Sequence, residues 1–296
     1  MTTQLTFVHA LSPLHAGIGQ GAGVIDLPIA REKSTGLPFL PGSSLKGALR
    51  ALCGNEKKCK QIFGPGTADS DPNSDYASSI QFSDQRLLLL PIRSLAGTFA
   101  WVTSPYVLGR FVRDLRDIQL SPPASIPDPK QNEDCYIDRG RSKVTLDRNR
   151  TRVYLEDLDL IAQNEDVAPW ATWIGQKVFS ADPTWEQMVA ERFCIVHDDV
   201  FNFLIDTATE ITTRIKLKED TKTVDTDTGG LWYEEALPTE TILFGLALAT
   251  PVNASGMTTE QVFKEITDLI KKAVQLGGKA TVGRGICRVQ MVQGGA

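Results

Sequence analysis

The sequence predicts an α+β fold with a ferredoxin-like, RRM-like core interrupted by large insertions. Two observations carry this reading. The N-terminal part reads strand, loop, helix, and the last third reads strand, helix, glycine turn, strand, so βα units stand near both ends of the chain. At 296 residues with 42% apolar content, the chain can also bury a sizeable core, either as one large domain with insertions or as two domains. Periodicity alone does not select the topology.

The first strand is read over 5–11, where Leu5, Phe7, His9 and Leu11 alternate with Thr6, Val8 and Ala10. His9 shares the apolar face and is read as a satisfied core or edge histidine. Four alternating glycines follow (Gly17, Gly19, Gly21, Gly23), then Asp26 and a Pro-rich turn over 37–41. The next helix is expected to start with Ser43 or Ser44 as N-cap and stop near Gly54. Leu45, Ala48, Leu49 and Leu52 form its inward stripe, which leaves Lys46 and Arg50 together on the other side. Residues 67–78 read as a polar loop, 80–92 and 98–103 as strands, and Ser104-Pro105 as the start of a helix to about Leu115.

Residues 118–150, rich in Pro, Asp and Arg without periodicity, are expected to form a long, partly mobile surface excursion. Between Arg214 and Trp232, two β-like flanks around a Thr/Asp/Gly tip predict a long hairpin. Asp225 and Asp227 at that tip are candidate cation ligands, with a solvated tip as the plainer reading. The chain closes as strand 241–250, helix 259–276, glycine turn and strand 284–292. The helix turns Val262, Phe263, Ile266, Leu269, Ile270, Ala273 and Val274 inward and stops at Gly277-Gly278.

Composition excludes several classes. No run approaches the roughly 20 apolar residues of a membrane helix, and MTTQLTFVHAL lacks a cationic signal-peptide start, so a cytoplasmic protein is expected. The five cysteines (Cys53, Cys59, Cys135, Cys194, Cys287) include no CxxC pair or zinc-site spacing and are read as structural thiols. His9, His15 and His197 are too few and too separate for a histidine-based metal cluster. The net charge of -5 argues against indiscriminate nucleic-acid binding. Its distribution is uneven, however. Residues 31–60 hold seven Lys/Arg against two acids, and 271–288 hold five against none, so both glycine-bearing regions are basic.

Each glycine block has an obvious rival reading, and each rival fails. The first block is GxGxGxG followed by the extended Val24-Ile25-Asp26-Leu27-Pro28, where a dinucleotide fingerprint needs GxGxxG and a helix. The second, Gly277-Gly278-Lys279-Ala280-Thr281-Val282-Gly283-Arg284-Gly285, lacks the first glycine and the Ser/Thr of a P-loop and joins helix to strand, the reverse order. What remains is a backbone that lets N–H groups approach an anion or sugar closely.

The order and spacing of HAGIGQGAGVIDLPIAREKSTGLPFLPGSSLKGALR (15–50), GTFAWVTSPYVLGRF (97–111), GGLWYEEALPTET (229–241) and GGKATVGRGICRV (277–289) strongly resemble the RAMP superfamily of CRISPR-associated RNA-binding proteins. The nearest likeness is to backbone subunits of type III-B (Cmr) effector complexes, and it runs end to end, weakest over about 117–200. The resemblance implies one RAMP domain over 1–296, with its core mainly in 1–115 and 240–296. The same likeness makes 117–200 an insertion and about 210–238 a thumb hairpin that wedges into the guide–target duplex. A CRISPR guide RNA, a single-stranded target RNA, copies of the chain in a helical filament and other Cmr subunits are the implied partners.

The implied activity is endoribonuclease cleavage of guide-paired target RNA, with a purely architectural filament subunit as the alternative. Asp26 is the implied cleavage residue, as base or as ligand to a divalent cation, Mg or Mn. A loop aspartate is otherwise most often a turn or cap residue. RNA carries its own nucleophile, the 2'-OH, so the protein need only align the backbone and manage protons or charge. His15 is placed to neutralise the phosphate or protonate the leaving oxygen, or is simply structural. Tyr233 and Glu234, the latter favoured over Glu235, are implied near the cut. Gly17, Gly19, Gly21, Lys46, Arg50, Gly278, Lys279, Gly283, Arg284 and Gly285 are the guide-backbone candidates.

Overall fold

The computed structural model describes all residues except Ala22, 66–76, Arg148, Asn164, Ala181, Glu219, Lys222, 225–229, 252–255 and Ala296. Asp225 and Asp227, and most of the 67–78 loop, therefore lie outside the described residues.

The first part of the chain forms β1 (Thr2–Ala10), β2 (Phe39–Leu40), α1 (Gly42–Leu52), α2 (Glu56–Phe63), β3 (Ile80–Phe82), β4 (Gln85–Arg93), β5 (Phe99–Thr103) and α3 (Pro105–Asp117). The middle adds β6 (Asp134–Ile137), β7 (Arg152–Leu155), β8 (Leu158–Gln163), α4 (Ala168–Val178), α5 (Pro183–Arg192), β9 (Phe193–Val196) and α6 (Asp198–Thr207). The last part is β10 (Glu210–Ile215), β11 (Leu231–Ala236), β12 (Ile242–Ala249), α7 (Thr259–Leu269), β13 (Val274–Gln275) and β14 (Ile286–Gln293).

One mixed sheet runs in the order β13-β14-β1-β12-β4-β5-β9-β6-β8-β7. Its segment β14-β1-β12-β4 is antiparallel throughout. With α1 following β1 and α7 joining β12 to β14, this is the βαββαβ arrangement of a ferredoxin-like core. The period-2 apolar residues of β1, Leu5 and Phe7, lie at the centre of a continuous core and are fully buried, as are Phe111 and Phe244, whose rings meet edge to face. His9 is buried and bonded to Glu240 at 2.5 Å, a satisfied histidine as expected. No helix among the described residues is long and apolar enough to cross a membrane.

Several expectations are corrected. The serines do not cap α1: the helix begins at Gly42, and Asp84, from the β3–β4 turn, takes the capping role by accepting the Gly42 N–H at 2.9 Å. Leu52 is exposed, so the inward stripe is Leu45 and Leu49 with Ala48 at its edge. A second helix, α2, follows at once with Asn55 as its N-cap, and Cys53 and Cys59 are joined in a disulfide across the junction, not free thiols. Cys135, Cys194 and Cys287 are free and buried, as read.

The stretch 80–92 is two strands, β3 and β4, because the chain turns at 83–84. The 118–150 excursion is pinned into the protein: β6 lies between β9 and β8, and Trp170 Nε1 donates to the Ser125 carbonyl at 2.9 Å. The last helix ends at Leu269, well before 276; Val274 and Gln275 leave it to pair with Cys287 and Ile286. Strand pairing there outweighs helical periodicity, since it completes the edge of the sheet.

Candidate nucleic-acid interface and cleavage cleft

β10 and β11 form a separate two-stranded hairpin, with Glu210 opposite Ala236 and Ile215 opposite Leu231. The first glycine loop folds onto this hairpin. Gly17 pairs with Ile29 to close the loop, and Leu27 then runs parallel to β11, its N–H donating to the Tyr233 carbonyl at 3.0 Å while its own carbonyl accepts the Glu235 N–H at 3.0 Å. That alignment brings Asp26 Oδ2 to the backbone N–H of Tyr233 at 2.8 Å, across 207 residues of sequence. The Asp26 side chain is exposed, and its second oxygen has no protein partner among the described residues.

Asp26 lines an open cleft of about 500 Å³ with Gln20, Gly21, Leu231, Trp232 and Lys279. Alternation along β11 turns Trp232 and Glu234 to one face. There Glu234 gathers three donors: Lys279 Nζ at 2.8 Å, Trp232 Nε1 at 2.8 Å and Arg214 Nε at 3.2 Å. Burial alone would raise the Glu234 pKa; the hydrogen bonds from Lys279, Trp232 and Arg214 outweigh it and hold the carboxyl at about 2. Glu234 is thus an ionised anchor. Glu235, on the opposite face, is buried and accepts from Arg31 at 2.7 Å and the Ile29 N–H at 3.0 Å. The Tyr233 side chain is exposed, and its backbone is what touches Asp26.

The second glycine loop meets the first around His15. Its ring Nδ1 lies 2.7 Å from the Glu235 carbonyl, which can only accept, so Nδ1 carries the proton. The Gly278 N–H donates to the His15 carbonyl at 2.9 Å. A Cβ at Gly17 would sit 2.4 Å from His15 Nε2, and one at Gly277, whose φ is +71°, would sit 2.4 Å from the His15 carbonyl oxygen. His15 is therefore 7% exposed, clamped between the two loops, and does not line the Asp26 cleft. A neighbouring cleft is lined by Ala16, Gly17, Ser43, Ser44, Gly277 and Gly278, so both glycine loops border α1.

On α1, Lys46 Nζ donates to Ser78 Oγ at 2.7 Å and Arg50 donates to the carbonyls of Gly64 and Pro65 at 2.8 and 3.3 Å. Partial burial, helped by the nearby Arg50 charge, pulls the Lys46 pKa down. Arg284 instead ties the second loop to the hairpin, pairing with Glu210 at 3.0 Å and Thr212 at 2.9 Å, between Gly283 and Gly285. Gly19 and Gly21 lie on the outer turn of the first loop; Gly21 donates its N–H to the Asp26 carbonyl at 2.8 Å. Among the described residues no group of three or more His, Cys, Asp and Glu side chains converges to hold a metal ion. Asp26 offers a cation one free carboxylate oxygen, which suits a hard divalent ion only when substrate phosphate oxygens and water complete its shell.

Sequence reasoning missed Trp232 and Arg214. The period-2 pattern of 231–236 contained the signal for Trp232, since it sets that ring beside Glu234.

The RAMP superfamily profile matches residues 7–288. The CRISPR system Cmr endoribonuclease Cmr4 of Pyrococcus furiosus is 34% identical over 302 residues, covering 98% of this chain and 96% of the relative. The CRISPR system CMR subunit Cmr4 of Saccharolobus solfataricus is 25% identical, covering 96% and 94%. The crystal structure of oligomeric Cmr4 from Pyrococcus furiosus superposes with a TM-score of 0.75 at 28% identity, over 100% of both chains. With matches of this extent to a sequence profile, to full-length relatives and to a solved fold, the chain belongs to the RAMP superfamily and, within it, to the Cmr4 family.

Proposed function

We propose that this chain is the RNA-binding backbone subunit of a cytoplasmic type III-B effector complex and cuts guide-paired target RNA as an endoribonuclease. Its partners are a CRISPR guide RNA, the target RNA, further copies of itself in a helical filament and other Cmr subunits. The observation that carries this reading is the Asp26 carboxylate, fixed by the Tyr233 N–H at the rim of an open cleft that also holds a lysine. The likeness to a relative named an endoribonuclease supports it.

The guide backbone lies against the cleft between the two glycine loops and α1; Lys46 and Arg50, on the part of α1 beside the Ser78 and Gly64–Pro65 segments and outside that cleft's lining, are its charged contacts further along the helix. The β10–β11 hairpin acts as the thumb, splaying the paired target so that one nucleotide reaches Asp26. Cleavage follows from the RNA itself: the 2'-oxygen attacks the adjacent phosphorus, the bond to the 5'-oxygen breaks, and a 2',3'-cyclic phosphate and a 5'-hydroxyl result. Asp26 accepts the 2'-OH proton, and the departing 5'-oxygen takes a proton from water. Holding a divalent cation, Mg or Mn, is the alternative use of that same free oxygen: Asp26 would be its protein ligand, and the ion would supply charge neutralisation at the phosphate. Glu234 is ionised and fully engaged, so its part is to hold Lys279 and Trp232 in place. His15 keeps the two glycine loops together behind the cleft.

The test is the assembled Asp26→Asn complex. Guide retention and target binding should stay within about 3-fold of the unaltered complex, while the single-turnover cutting rate falls by about 100-fold or more. A target 2'-deoxy at the nucleotide 5' to one cut should abolish that cut alone. Normal cutting by Asp26→Asn would leave the chain an architectural subunit.

A further inference from the structure

Resting on the Asp26 reading, we propose that Lys279 is a catalytic residue of the target-cleavage cleft, supplying positive charge to the reacting phosphate, with Glu234 as its positioning residue. Its place in a basic glycine loop makes it resemble one more guide contact. The geometry points elsewhere. Lys279 lines the same cleft as Asp26, Trp232 and Leu231, whereas the cleft between the glycine loops and α1 is lined by Gly277 and Gly278 without it.

Three features fix the ammonium there. Lys279 adopts a left-handed backbone conformation with φ +65°, unusual for a side chain larger than glycine, at the start of a short 3-10 turn over Ala280–Val282. Its carbonyl accepts the N–H groups of Val282 and Arg284 at 3.2 Å each, which closes the loop beneath it. Its Nζ is paired with Glu234 Oε1 at 2.8 Å, and Glu234 in turn is held by Trp232 and Arg214. A lysine ammonium has three donors, so one serves Glu234 and two are left for the cleft.

The strand arrangement explains why the pair belongs with Asp26. Tyr233 holds Asp26 through its backbone, and the next residue, Glu234, holds Lys279. One strand thus sets an acceptor for the 2'-OH proton and a cation for the phosphate side by side. In the cleavage step a pentacoordinate phosphorus gains charge on its non-bridging oxygens as the P–O2' bond forms and the P–O5' bond breaks. Two ammonium N–H groups aimed at those oxygens stabilise that charge, and they are worth most where the donor is already immobilised. The Glu234 pairing orients the ammonium while leaving the local charge low. The site therefore does not depend on long-range attraction to RNA.

The experiment uses complexes assembled with guide RNA and carrying Lys279→Ala, Lys279→Arg, Glu234→Gln or Asp26→Asn. For Lys279→Ala the single-turnover cutting rate should fall by about 100-fold while guide retention and target binding stay within about 3-fold. Lys279→Arg should recover part of the rate, and added propylammonium should raise the rate of Lys279→Ala but not that of Asp26→Asn. Glu234→Gln should lower the rate less than Lys279→Ala does, with no gain from propylammonium, since its lysine is present but unanchored. Cutting by Lys279→Ala within about 3-fold of normal overturns the proposal. So does loss of guide RNA in step with loss of cutting, which would return Lys279 to the guide. If Asp26→Asn also cuts normally, the Asp26 reading itself fails; if Asp26→Asn is dead and Lys279→Ala is normal, only the role of Lys279 falls.

Discussion

Both glycine-bearing regions of the chain are basic, yet the cations on α1 and those beside the hairpin are held in opposite ways. On α1, Lys46 and Arg50 bond only to neutral oxygens among the described residues: the Ser78 hydroxyl and the carbonyls of Gly64 and Pro65. At the hairpin, Lys279 and Arg284 each pair with a carboxylate, Glu234 and Glu210. Uncompensated charge attracts a polyanion over roughly a Debye length, about 8 Å at physiological salt. Paired charge gives up that reach and gains fixed geometry. Counting basic residues would score the two regions alike. Their neighbouring acids separate them, and this is the difference the proposed roles rest on: holding a backbone at α1 and acting on a single phosphate at the hairpin.

The sharpest way to break this comparison is at the point where the two regions join. Gly277→Ala puts a Cβ at φ +71° and 2.4 Å from the His15 carbonyl oxygen, a backbone atom that cannot swing away. Strained backbone and a displaced loop contact together should lower stability by at least about 3 kcal/mol, read from thermal unfolding. Gly23→Ala is the control, because nothing lies within 4 Å of its Cβ position. It should shift stability by less than about 0.5 kcal/mol. Equal behaviour of the two variants would mean that the loops are not clamped around His15.

The carboxylate side of the comparison makes a pH prediction. The Glu234 carboxyl is held at about 2 in the fold against an ordinary 4.5, so the fold favours its ionised form. The stabilisation, about 3 kcal/mol, is fully present above about pH 4.5 and is lost as pH falls toward 2. Unfolding measured between pH 6 and pH 2.5 should show the unaltered protein losing stability faster than Glu234→Gln, which has no proton to take up. Parallel curves would mean that the anchor on Lys279 is weak.

How much of this was legible in the sequence varied with the kind of force involved. The strand at 241–250 stands nearly where it is expected. The hairpin expected between Arg214 and Trp232 has its strands at 210–215 and 231–236, at and beyond the ends of that stretch, where the alternation is clear but the Thr/Asp/Gly tip drew the reading inward. The start of α1 was misplaced because its cap is Asp84, which no rule applied to residues 41–45 alone can supply. The last helix was drawn too long because Val274 fits a helical stripe as well as it fits a strand, and pairing with Cys287 decides between them. In the cleft, Asp26 and Glu234 were singled out through family likeness. That Glu234 is an ionised anchor for Lys279 was not legible, since besides Trp232 of its own strand it depends on Arg214 and Lys279, donors from two other segments. The glycine loops were read as a surface for RNA; their contact with each other through His15 is a tertiary fact without a local signature.

The smallest expected effect separates the two kinds of cation most directly. Removing one uncompensated charge from a phosphate contact should weaken guide binding and reduce the slope of log affinity against log salt by about 0.7, the value for one single-strand phosphate. Lys46→Ala should show that change when guide retention is titrated from low to high salt. Arg284→Ala removes a charge already matched by Glu210, so its slope should change by less than half as much, with any loss of affinity independent of salt. Overall affinity does not discriminate, since either variant can lower it by disturbing its loop. Only the salt slope counts phosphates. If Arg284→Ala changes the slope as much as Lys46→Ala does, the pairing with Glu210 opens in the assembled complex, and the second glycine loop holds the guide in the same way that α1 does.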